Sequence, residues 1–334
     1  MSNIDIQPED RAVFNRLKST GRITHGLRRV MTQQWNQCAT CNHLISEERP
    51  AFAGYHADGT PLLVGACCAV RLVELATPVY WTGTLNLSIE DSQPVWRYMD
   101  FAKFVAMLQQ GGVYFPRADK LDDRFEGAVG LASREPDWDR FYLDFLRTAV
   151  TTAPPGHSQP ELSEEHIERE TRRLLKELKT AWSRARTLLV SCWHANSVES
   201  EALWRLYCPP PTPGLAIRTT VGRLWDATVH DASAIVGRVH YLDFRRSFAP
   251  GDQRIFCKRL SLSHEREIRV TLDNDGTSSL MGKTLACDLN ALIDKVIISP
   301  FAPAWFGEVV SDAISKFGFA FEVQKSELLD EPFY

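Results

Sequence analysis

Apolar residues along this chain follow two spacings, and from Val95 onward the two-residue spacing of half-buried strands dominates. VWRYM (95–99) predicts a strand with Trp96 and Tyr98 on one face and Arg97 on the other. FAKFVAMLQQ (101–110) sets Phe101, Phe104, Val105 and Leu108 on one helical stripe, and Gly111-Gly112 after it predicts a C-cap. VYFPRAD then reads as a second strand. Five more strand candidates follow, in TLLVSCW, GLAIRT, AIVGRVHYL, EREIRVTL and KVIIS, and a helix over 305–317 leads into FAFEVQKS. Strands outnumber helices and do not alternate regularly with them. The expected fold class is therefore α+β, a mixed and mostly antiparallel sheet with flanking helices.

The first third of the chain has a different texture. Pro8 to Met31 predicts one or two short helices, with Val13, Leu17, Ile23 and Leu27 near helical spacing. From Trp35 to Ala76 the pattern is CATC, a hairpin with Asp58-Gly59 at its turn, then CC ahead of an amphipathic segment. Residues 77–94 read as a connector. Within the larger domain, 137–150 and 166–186 predict helices; the second keeps Leu174, Leu178 and Trp182 on a narrow apolar line and otherwise alternates charges, as a solvated face does. The expected organisation is a helical segment (1–34), a cysteine module (35–76), a connector (77–94) and an α+β domain (95–334) with a helical insert at 137–186.

Composition narrows the classes. The 334 residues carry a net charge of −4, so no global basic field coats nucleic acid by phosphate neutralisation alone. Charges or prolines interrupt every apolar run before the roughly 18 residues that a spanning helix needs, so no membrane partner is expected. The acidic opening MSNIDIQPEDRAVF lacks the basic-then-apolar order of a secretion signal, and a cytoplasmic location is expected. In that compartment the eight cysteines should be thiols or metal ligands.

Spacing separates those roles. Cys38-x-x-Cys41 points two thiolates at one tetrahedral centre, and Cys67 with Cys68 after a hairpin can complete a structural zinc shell. Successive side chains on a strand diverge, so His43 or His56 could replace one of the adjacent pair. The arrangement resembles small zinc ribbons, modules that bind nucleic acid or protein or stabilise a fold.

In the larger domain each polar feature has a structural and a functional reading. Arg97 is an exposed strand residue or, in a cleft, a planar fork for a phosphate or ribose. Asp122, Asp123 and Glu126 form a polar loop or hold a divalent metal. Asn196 or Ser197 caps a helix, with Glu199 or Ser200 completing the box. On that helix Ser200, Leu203, Trp204 and Tyr207 share a stripe that is either core or a stacking surface for a planar ring. His194 is a satisfied core histidine, or a base or hydrogen-bond donor. In HEREIRVTL, alternation sets Glu265, Glu267, Arg269 and Thr271 together on the face away from Ile268, Val270 and Leu272. Two carboxylates so placed suit acid/base work, or stabilisation of a positive centre, unless Arg269 offsets them.

Taken together, Trp96-Arg97-Tyr98, Val113-Tyr114-Phe115, Asp123-Arg124-Phe125-Glu126, Cys192-Trp193, Glu199-Ser200, Trp204, Tyr207, Gly214 to Ile217 and Glu265 to Arg269 resemble the pattern of a little-characterised bacterial family over residues 96–326. A second resemblance, of VWR followed by helix and strand with a late E-x-E-I-x-V, is to ADP-ribosyltransferase folds. It implies a dinucleotide ligand, NAD, consumed by an effector in a toxin or phage-defence setting with a nucleic-acid or protein target. It further implies Arg97 as anchor, Glu267 as catalytic glutamate, Glu265 as its partner, and Tyr98, His194, Ser200, Trp204 and Tyr207 around the ring. The Ser-Thr-Ser strand motif of those folds is absent, and the helical insert stretches the spacing. Two alternatives stand beside it: a metal-dependent hydrolase or nuclease using Asp123, Glu126 and Glu199, and a non-enzymatic nucleotide or nucleic-acid binding module. The transferase reading requires Arg97 and Glu267 to meet across one hollow.

Overall fold

A computed structural model of the chain describes residues 28–56, 60–68, 79–81, 85–153, 158, 161–251, 253–274 and 281–334. In chain order the strands are β1 (Arg28–Met31), β2 (Asn36–Gln37), β3 (Leu44–Ile45), β4 (Pro50–Tyr55), β5 (Pro61–Gly65), β6 (Val79–Trp81), β7 (Pro94–Asp100), β8 (Gly112–Pro116), β9 (Leu189–His194), β10 (Gly214–Thr220), β11 (Ile235–Arg238), β12 (His240–Leu242), β13 (Cys257–Arg259), β14 (Glu267–Leu272), β15 (Gly282–Ala286), β16 (Lys295–Ile298) and β17 (Glu322–Lys325). The α-helices are α1 (Phe101–Gln110), α2 (Glu135–Thr151), α3 (Glu164–Ser183), α4 (Glu201–Tyr207), α5 (Val221–Thr228), α6 (Leu289–Leu292) and α7 (Phe306–Lys316). The fold is α+β, as the strand-rich pattern predicts, and no helix among the described residues is long and apolar enough to cross a membrane.

The chain divides into two compact units. The first combines Met1–Asn86 with Gly127–Ala185 and Leu242–Leu260. Its sheet runs β5-β4-β1-β6, with β4 and β5 an antiparallel hairpin of register Ala51↔Gly65 to Tyr55↔Pro61. The hairpin is where the alternating pattern predicts it; Asp58-Gly59 and the segment 69–76 lie outside the described residues. Arg28–Met31 forms a strand rather than the end of a helix, because β4 pairs with it on one side and β6 on the other. The remainder of the helix expected at Pro8 to Met31 lies outside the described residues.

Helices α2 and α3 belong to this first unit, not to the domain that begins at residue 95. Trp138 and Phe248 join Val30, Cys38, Phe52 and Val64 in one buried cluster, against which Leu175, Leu178 and Trp182 pack. The apolar line of α3 runs through Leu175 and not Leu174. Its other face carries ion pairs such as Arg172–Glu168 at 2.7 Å, both side chains exposed, worth only a few tenths of a kcal/mol each. The helical insert is thus core to the cysteine-bearing unit.

The second unit comprises Leu87–Glu126, Arg186–Tyr241 and Ser261–Tyr334. Its seven-stranded sheet runs β11-β14-β9-β7-β10-β16-β17, antiparallel except for the last pair. One face of the sheet packs Val95, Met99, Trp193, Leu215, Ile217, Ile268 and Val270 against α1, α5, α6 and α7. The other face packs Trp96, Tyr98, Ala216 and Ile297 against α4 through Leu203, Trp204 and Cys208. Helix α1 starts where the Asp100 carboxylate accepts the Lys103 N–H, and it ends at Gly111 with φ of 60°, the left-handed cap expected there. Gly112 then opens β8, where any Cβ would run into the Leu285 carbonyl of β15.

Candidate metal centre and ligand face

The CxxC segment turns between β2 and β3. Cys38 donates its N–H to the His43 carbonyl, and Asn42 closes the knuckle at φ of 58° by donating to the Cys38 carbonyl. The adjacent pair sits in a turn after β5, where Cys68 N–H reaches the Gly65 carbonyl, so strand alternation does not force the two side chains apart. All four sulfurs lie within 4.8 Å of one another, and Cys41 Sγ and Cys67 Sγ are 3.4 Å apart. A tetrahedral ion with metal–sulfur bonds near 2.3 Å sets its ligands about 3.8 Å apart, so the cluster can hold one. Neither His43 nor His56 joins it among the described residues, because the turn makes both adjacent cysteines available.

The thiols differ from one another. Burial pushes Cys38 up, but backbone hydrogen bonds at Thr40, Gly65 and Cys41 outweigh it and bring its pKa down to about 6. Burial and the neighbouring thiols hold Cys67 up at about 11 and Cys68 at about 12. A Cys38 thiolate beside the proton-holding Cys67 and Cys68 is the state that a bound cation would replace.

Sheet register settles which predicted residues share a face. Trp96 pairs with His194, and His194 with Glu267. Residues directly opposite in a ladder project to one side, so Trp96, His194 and Glu267 lie together. Arg97, one residue on, projects to the other side. There it donates to Ser191 Oγ at 3.0 Å and to the Tyr114 carbonyl at 3.2 Å, and stacks 5.6 Å over the Trp193 ring. The anchor and the glutamate of the transferase reading are therefore on opposite faces of one sheet.

Glu267 is also not poised in an open cleft. Every residue of β14 is buried, on both faces. Arg269 binds Glu267 Oε1 through Nε at 2.6 Å and grips Glu126 with its two terminal nitrogens at 2.7 and 3.1 Å; the three side chains are at most 3% exposed. The two carboxylates hold the Arg269 pKa well above its ordinary value despite the opposing effect of burial. Glu265 does not share the alternation of β14. It ends a 3-10 segment (Leu260–Glu265), and Arg266 at φ of 43° breaks the strand pattern before Glu267 begins it.

Around His194 the geometry is denser. Its Nδ1 lies 2.9 Å from the Glu265 carbonyl, and its ring centre lies 5.9 Å from Tyr98 and 5.1 Å from Tyr207. Tyr98 meets Trp204 edge to face at 4.8 Å and accepts the Ser200 N–H on its hydroxyl. Tyr98 and Trp204 are core; Tyr207 is 37% exposed, and its hydroxyl is 3.5 Å from Glu265 Oε1.

Ser200, not Asn196 or Ser197, caps α4, because the helix begins only at Glu201. Glu199 is used structurally: its carboxylate accepts Trp204 Nε1 at 2.7 Å, the Ser326 hydroxyl at 2.6 Å and the Glu327 N–H at 2.5 Å. Asp122 is exposed, and Asp123 Oδ1 accepts the Phe125 N–H in a local turn. Asp123, Glu126 and Glu199 do not form a metal-binding group; among the described residues the four cysteines alone do. Ser191, which holds Arg97, and Tyr241, whose hydroxyl accepts the Glu267 N–H at 2.7 Å, carried no sequence signal of their own.

No protein-family model matches the chain, and no curated protein is detectably similar to it.

Proposed function

We propose that this protein is a zinc-stabilised nucleotide-binding protein whose second unit receives a planar ring on Tyr207. The observation that carries the reading is the placement of this half-exposed ring beside His194 and the Glu265 carboxylate. Stacking supplies sequence-tolerant affinity of roughly 1–3 kcal/mol per base, and a carboxylate beside the ring selects for an exocyclic amine or amide. The sulfur cluster holds structural zinc, which supplies folding free energy to a unit with a modest core.

A second reading, cleavage of the nicotinamide bond of NAD, is favoured by one feature: two acidic residues flank His194, Glu267 as its ladder partner and Glu265 through the backbone carbonyl. A carboxylate beside a ribose stabilises an oxocarbenium-like state. In that chemistry Glu265 is the candidate, because Arg269 engages Glu267 and Arg97 faces away.

Calorimetric titration with NAD and ATP tests both readings. Tyr207→Ala should weaken binding about ten-fold. Failure of both ligands to bind sinks the first reading, and nicotinamide release unaltered by Glu265→Gln sinks the second. Elemental analysis should find one zinc ion per chain, lost on Cys41→Ser with Cys67→Ser.

A further inference from the structure

Several arginines among the described residues meet carboxylates. Arg117 pairs with Asp119, Arg134 with Asp137, Arg205 with Glu201, and Arg269 with two glutamates. The polar partners of Arg97 are instead a hydroxyl and a carbonyl, both neutral. Burial lowers its pKa, against the opposing effect of the nearby Cys192, and no carboxylate contributes. The side chain is half-buried next to Tyr114, which is 44% exposed.

A guanidinium has five N–H donors, and two suffice for these contacts. Ser191 Oγ accepts from both Arg97 and Trp193 Nε1, at 3.0 and 3.1 Å, which leaves its own proton to give. Neutral acceptors and an aromatic platform hold the fork in place without cancelling its charge, the condition in which a guanidinium takes an anion bidentately. We propose that Arg97, with Ser191, forms an oxyanion site for a phosphate or carboxylate group on the sheet face opposite Glu267 and Tyr207. It is independent of the ring site, since the two lie on opposite faces.

Because Arg97 lies over Trp193, occupancy should alter indole emission. The test titrates inorganic pyrophosphate, and separately succinate, at low ionic strength, with Trp193→Phe identifying the responding indole. Saturation below about 10 mM is expected. Arg97→Gln should weaken it at least roughly ten-fold, and Ser191→Ala by less. Response to pyrophosphate alone assigns phosphate, and to succinate alone assigns carboxylate. Saturation by neither, or equal affinity in Arg97→Gln, overturns the proposal. Should Arg97→Gln fail to fold by circular dichroism, Arg97→Lys keeps the charge but not the fork, and undiminished affinity in it and in Ser191→Ala overturns the site equally.

Discussion

The first unit brings four sulfurs within 4.8 Å of one another, and burial with mutual proximity keeps Cys67 and Cys68 protonated. The second unit buries two carboxylates as well, but it wraps them around its own guanidinium, Arg269. Both clusters gather groups that become anionic when ionised, which an apolar core would exclude. One can be completed by an ion from solution, and the other is completed by a residue of the chain. With a metal bound, the first unit should therefore be vulnerable to chelation and pH, and the second to mutation.

The largest effect expected is loss of the metal. Structural zinc contributes on the order of 10 kcal/mol in small cysteine modules, so a strong chelator should abolish native amide protection in β4 and β5. If exchange there is unchanged by chelation, the sulfur cluster does not depend on an ion as the carboxylate pair depends on Arg269. Next in size is Arg269→Met, which strands Glu126 and Glu267 in the interior; it should cost about 3–5 kcal/mol in urea denaturation. Replacing all three members with apolar residues of matched volume should recover most of that loss, because the penalty lies in the unpaired charge.

A smaller effect is the pH dependence of metal binding. At pH 7 Cys38, near 6, is already a thiolate, while Cys67 and Cys68 still hold protons that the metal must displace. Affinity therefore rises with pH, by at least about 100-fold per unit between pH 7 and 9, since the Cys67 and Cys68 protons are both displaced. A competition titration with a chromogenic chelator reads the slope, and a flat profile contradicts the assignment. Smallest of all is Arg97→Met. No carboxylate is left behind when Arg97 is removed, so the loss should be about 1 kcal/mol or less, against several for Arg269→Met. Equal costs for the two variants would erase the distinction between a neutralised and an open guanidinium.

Much of this architecture is legible in the sequence. The β7 strand, the α1 helix with its Gly111 cap and the hairpin between the two cysteine pairs each follow from local periodicity and turn chemistry. Helix α3 was legible as a charged helix, but its place was not, since a stripe of Leu175, Leu178 and Trp182 is apolar without saying which core it joins. Glu199 read as part of a capping box because its bonds to Trp204, Ser326 and Glu327 come largely from 127 and 128 residues away. The role of Arg269 was partly visible, as a neighbour of Glu267 in the alternation, whereas Glu126 lies 143 residues from it.

By itself the sequence determined which residues alternate within each strand, and which thiols could converge after one short hairpin, because both depend on geometry over a few residues. Only the tertiary structure decided which side of one strand corresponds to which side of another. The ladder from Trp96 through His194 to Glu267 fixes that parity and sends Arg97 to the far face. The left-handed turn at Arg266 separates Glu265 from the alternation it shared on paper. A shift of one residue in pairing, or one residue in an αL conformation, inverts every facing relation beyond it, and neither event leaves a mark in composition or spacing.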